Sequence, residues 1–152
     1  MAQASTNHDI KVLNALIETT LDSADGYRQA ADNAGNSQYK ILFQQWSVER
    51  RKVAGDLQNE VRSLGGKAED DGSILAAAHR TFLKLRDSVT GDDQSVVNEV
   101  ERGEDFIKAK YEEALKDGEL STTARDAVGR AFSSVRSGHD QARDLKRSLK
   151  SH

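Results

Sequence analysis

Three side chains combine a metal-ligand chemistry with helical spacing: Glu49, Glu104 and His139. Two carboxylates and an imidazole, brought together, could hold a divalent ion such as iron or zinc, with water completing the shell. Each falls on or beside an apolar stripe. Glu104 interrupts the run Val97, Val100, Ile107, Tyr111, Ala114. His139 shares a layer with Gly138 in the run Val128, Ala131, Val135, Ala142. Glu49 adjoins Arg50, which sits in the run Trp46, Val53, Leu57, Val61, Leu64. Thr20 and Tyr27 carry polar groups on the first segment. A buried charge must be paired or must coordinate a metal. Two chemistries satisfy that demand. In one, Arg50 forks onto Glu104 or Glu49, and His139 hydrogen-bonds a carboxylate or water. In the other, Glu49, Glu104 and His139 bind the metal. Arg50 weighs toward the first, because its cation competes for the same carboxylates.

Other chemistry finds less support. No glycine-rich phosphate loop follows a strand, since Gly65-Gly66 ends a helix. No Gly-x-Ser-x-Gly elbow occurs, and no catalytic residue is assigned. His8 and His152, near the ends of the chain, are expected to be exposed. His79, beside Arg80, reads as a surface or packing histidine. Glu18, Asp22 and Asp25 lie about 100° or more off the first stripe and read as a solvated face. Glu99, Glu112 and Glu113 read the same way. Trp46 falls at a core position.

The elements that must position these groups are all helical. Apolar and small residues recur at Ile10, Leu13, Ile17, Leu21, Ala24 and Ala31, one face of a helix capped near Thr6 to Asp9. Gly35 ends it, and Asn36 or Ser37 caps a second helix that Gly65 and Gly66 stop. Ser73 opens a short helix with Leu75, Phe82 and Leu85. After Gly91, Asp92 caps a helix that ends at Gly118, and Ser121 opens the last one. No segment alternates with period two, so no sheet is expected. Short turns make the first and second helices, and the third and fourth, antiparallel hairpins. Roughly 27 residues join the two hairpins, enough to return along a second helix ~43 Å long. The expected fold is an all-α four-helix bundle, two antiparallel hairpins joined by a long crossover containing a short helix. Residues 1–7 are expected to form a disordered tail and 8–150 a single domain. Tyr27 and Ala30 match Tyr111 and Ala114 in spacing, a weak internal repeat.

The 152 residues include no proline and no cysteine, which leaves helices uninterrupted and excludes disulfides and thiolate zinc sites. The net charge of −3 gives no general reason to expect nucleic acid, and the basic run Arg143 to His152 suits a helix C-terminus. The start MAQASTNHDI has neither a basic nor an apolar signal region. The longest apolar run, around Leu75 to Ala78, falls far short of the ~20 residues that span a membrane. A cytoplasmic protein is expected, without a membrane or nucleic-acid partner.

The two-hairpin pattern, Tyr27 and Tyr111, and the segments Val48-Glu49-Arg50-Arg51, Glu101-Arg102-Gly103-Glu104-Asp105 and His139-Asp140 resemble the ferritin-like superfamily. Within it the chain is most similar to a bacterial branch of small four-helix-bundle proteins that carry a domain of unknown function. The resemblance covers about residues 8–150. It implies a ferritin-like bundle. Metal-binding members use a glutamate on the first and third helices and Glu-x-x-His on the second and fourth. Here Thr20 stands at the first glutamate, and Lys52 replaces the histidine that would follow Glu49. Glu104 is present, and Arg136 replaces the glutamate that would precede His139. The resemblance therefore implies a degenerate or weak site for iron or zinc in a non-enzymatic, stress-associated protein. Two alternatives stand beside it. One is a metal-dependent enzyme or iron-handling protein using Glu49, Glu104 and His139. The other is a helical interaction module that assembles into homo-oligomers.

Overall fold

The computed structural model describes residues 2–69 and 93–150. Among them are four helices and no strand: α1 (Ala2–Asn33), α2 (Ser37–Ser63), α3 (Asp93–Leu115) and α4 (Thr122–Lys150). The short helix expected after Ser73 lies outside the described residues. α1 begins at Ala2. The cap read near Thr6 to Asp9 is therefore corrected. These residues are inside the helix, and Asp9 turns its carboxylate to the Ser121 amide, 2.9 Å away.

The caps and stops read at Asn36, Gly65 and Ser121 follow the sequence closely, while those read at Gly91 and Asp92 lie outside the described residues. Asn36 is the N-cap of α2, its side chain accepting from the Gln38 amide at 2.8 Å. Lys40 reaches back to the Ala31 and Asp32 carbonyls at 3.1 and 3.3 Å, where α1 leaves its last acceptors unpaired. Gly65 follows α2 with φ 83°, a left-handed turn that glycine makes without a Cβ penalty. Ser121 accepts from the Ala124 amide at 3.1 Å and opens α4. The chain leaving α2 is held by Asn14, whose amide bonds the Lys67 carbonyl and the Glu69 amide, both at 3.0 Å.

Cross-helix bonds give the helix directions. Along α1, His8 meets Asp117, Thr20 meets Tyr111, Tyr27 meets Glu104 and the Gly35 amide meets Asp93. α1 and α3 are therefore antiparallel. Each also runs against its hairpin partner, so α2 and α3 point the same way on opposite corners. The chain leaves α2 at the end where α1 begins, and α3 starts at the other end. A simple up-down-up-down bundle would have placed α3 parallel to α1.

The core is split along the axis. One apolar cluster joins Leu13, Ile17, Leu57, Val61, Ile107 and Val128 with their neighbours. The second joins Tyr27, Phe43, Val96, Val97 and Ala142. Arg50 and Glu104 lie between the two in sequence on their own helices, and both are buried.

Candidate functional site

The central layer contains Glu104, the most deeply buried charged side chain among the described residues, and Arg50. Glu104 is 1% exposed and Arg50 4%. One guanidinium nitrogen, Nη2, lies 2.9 Å from Glu104 Oε1 and 3.1 Å from Oε2. Nη1 donates to Ser23 Oγ at 2.9 Å. Arg50 thus spans both carboxylate oxygens with a single nitrogen, and the fork expected from sequence is not formed. Tyr27 donates its hydroxyl to Glu104 Oε1, and the guanidinium lies 5.5 Å from the centre of its ring. Burial, and then the Glu104 charge, push the Tyr27 phenol well above its ordinary range, so it remains a donor. Burial alone would favour a neutral Arg50, but the Glu104 carboxylate together with Tyr27 and Tyr111 outweighs it, and the net shift is upward.

Gly138 of α4 completes the layer. A Cβ there would overlap Arg50 Nη2. The backbone of α4 therefore approaches the guanidinium as closely as only glycine permits. Two turns along, Thr20 and Tyr111 hydroxyls meet at 2.6 Å, and Thr20 is 2.6 Å from the Leu16 carbonyl. Burial raises Tyr111 to about 12, against the lowering effect of Thr20 and Arg50. Two cavities of about 10 Å³ flank the layer, each close to the size of one water.

The three residues expected to bind metal are not brought together. Glu49 is exposed on α2. Glu104 is committed to Arg50 and Tyr27. His139 turns to α3, where Nε2 lies 2.6 Å from Asp105 Oδ1. Its Nδ1 is 3.5 Å from Asp140 without hydrogen-bond geometry. Thus the reading in which Arg50 pairs with Glu104 and His139 bonds a carboxylate matches the arrangement. Lys52 and Arg136 are exposed. Trp46 is only half-buried and sets its ring edge-on against Tyr27 at 5.4 Å.

Two groups escaped the sequence reading. His8, expected to be exposed, is half-buried against Asp117 at 2.7 Å, with Glu119 at 4.0 Å. Their separation along the chain hides the pairing. The acids Asp22 and Asp25 do not form a solvated face. Asp25 is buried, bonded to Arg28 at 2.7 Å and Gln29 at 3.0 Å, and Asp22 is half-buried.

Residues 8–117 match the family described as a domain of unknown function, DUF2383. The chain belongs to the DUF2383 family. The match takes in α2, α3 and most of α1, including Tyr27, Arg50 and Glu104, and stops before α4, which supplies Gly138 and His139. No curated protein matches the chain. No helix among the described residues is long and apolar enough to cross a membrane.

Proposed function

We propose that this DUF2383 chain is a ferritin-like bundle in which an ion pair replaces the central metal centre, and that its role is non-enzymatic. The observation that carries the reading is the Arg50 guanidinium, 2.9 Å from Glu104. It occupies the place where a metal cation would neutralise this carboxylate. The donor set does not fit a di-iron centre. Thr20 contributes a hydroxyl already bonded to Tyr111, Glu49 is exposed, and His139 faces Asp105. The stress association implied by the resemblance belongs to the same proposal.

Purified without a metal-affinity tag and incubated with Fe(II), the full chain is expected to hold no iron that depends on Glu104. R50M should lose about 3–5 kcal/mol of stability, because it leaves the carboxylate buried and unpaired. Near-stoichiometric iron that disappears in E104Q, with stability nearly unchanged, would overturn the reading.

A second reading, an interaction module that assembles with itself, is favoured by the surface. A groove of about 320 Å³ lies between α2 and α4, lined by Val53, Leu57, Ala127 and Ala131, with Asp56 and Arg130 among its polar residues. On the same α2, Ile41 and Val48 are 56% and 69% exposed, two turns apart.

A further inference from the structure

We propose that His8, Asp117 and Glu119 form a binding site for a single divalent transition-metal ion of the zinc class, at the end of the bundle away from Asp93. One ligand atom from each residue lies within 4.8 Å of the others. No other group among the described residues brings three histidine or acidic ligands so close. An imidazole and two carboxylates are a suitable donor set for such an ion, with water filling the remaining positions. Glu119 is 84% exposed at its side chain, so the site has an open face for those waters.

The ligands come from two distant parts of the chain that the fold holds in register. His8 sits in α1, and Asp117 and Glu119 in the turn between α3 and α4. Asp117 Oδ1 accepts from the Glu119 amide at 2.9 Å, while Oδ2 faces His8 Nε2 at 2.7 Å. Arg125 fixes the turn by donating to the carbonyls of Leu115, Asp117 and Leu120 at 2.8, 2.9 and 3.2 Å. Next to His8, Asp9 holds the Ser121 amide. Preorganised ligands on a fixed frame are what a metal site requires.

The contrast with the bundle centre decides between the two places. At the centre, an arginine nitrogen rests on the carboxylate itself and excludes a second cation. At this end, the hydrogen bonds of the nearby arginine go to backbone carbonyls, and the imidazole has Asp117 at Nε2 and Glu119, 4.0 Å away, at Nδ1. One ligand atom from each of the three residues is within reach of a single ion. His139 does not match this arrangement, because Asp105 and Asp140 do not gather with it into such a group. A bound ion would tie the start of α1 to the turn before α4 and favour the folded state by mass action.

Equilibrium dialysis of the full-length, untagged protein against Zn(II), followed by elemental analysis, tests the site. Wild type is expected to hold one ion per chain. H8A and E119Q should each weaken binding at least tenfold, and H139A should leave it unchanged. E119Q keeps the control honest, because its exposed side chain contributes little to packing and the fold is retained. Absence of zinc from wild type, or equal binding by wild type, H8A and E119Q, would refute the site. Zinc lost in H139A or E104Q but kept in H8A would refute it as well and would also overturn the non-metal reading of the centre. Zinc lost only in H8A and E119Q supports the site and leaves that reading intact.

Discussion

Asp22 has its carboxyl raised to about 7, first by burial and then by the charges of Glu18 and Asp25. Its Oδ1 is buried without a hydrogen-bond partner. Because the folded value lies above the unfolded one, the folded chain holds a proton that the unfolded chain has released between about pH 4 and 7. Stability from this group is present below that window and is lost as pH rises through it. D22N should therefore stabilise the protein at pH 8 by about 1 kcal/mol, discounted for the group's partial exposure. The gain should vanish near pH 4. Urea unfolding at both pH values checks this, and an equal gain at both would contradict the assignment. The sequence reading took these acids as solvated because they lie off the stripe. Helical angle reports the side of a helix, not what covers it, so the burial of Asp25 was hidden. Arg50 and Glu104 were legible because a charge inside an apolar stripe demands a partner.

At the level of elements, Gly138 is the position where backbone and charge meet. In G138A the added methyl would displace the guanidinium or push α4 outward. A loss of about 1–3 kcal/mol is expected, with Arg50 still paired only if the helix moves. Thermal denaturation gives the loss, and wild-type stability would show that the seam is slack. The caps Asn36 and Ser121 and the stop at Gly65 were readable, because these residue types act through their own backbone or nearest turn. Asp9 was misread for the complementary reason. Its type suits a local cap, but its partner is the distant Ser121 amide. The start of α1 at Ala2 was missed because no strong cap precedes it.

For the whole molecule, the length of the link between hairpins indicated that α2 and α3 would point the same way. Connection length is read directly from sequence, and geometry leaves few routes for it. What sequence did not reveal is that the polar layer stands between two apolar clusters. The exposed Ile41 and Val48 bear on assembly at this scale. If the α2 surface joins two copies, light scattering will give a dimer mass for wild type and a monomer mass for V48D. A monomer in both would remove the self-assembly reading.

The two hairpins also complete each other's turns. Asp93, at the start of α3, accepts from the Gly35 and Asn36 amides at 2.7 and 3.2 Å. Asp9, in α1, accepts from the Ser121 amide at 2.9 Å. The same interval of residue numbers separates Asp9 from Asp93, Thr20 from Glu104 and Tyr27 from Tyr111. The molecule therefore has an approximate twofold relation in which each half locks the other's hinge. Neither hairpin closes its own corner alone, so the coupling between halves extends to their ends and opposes stepwise opening from either turn.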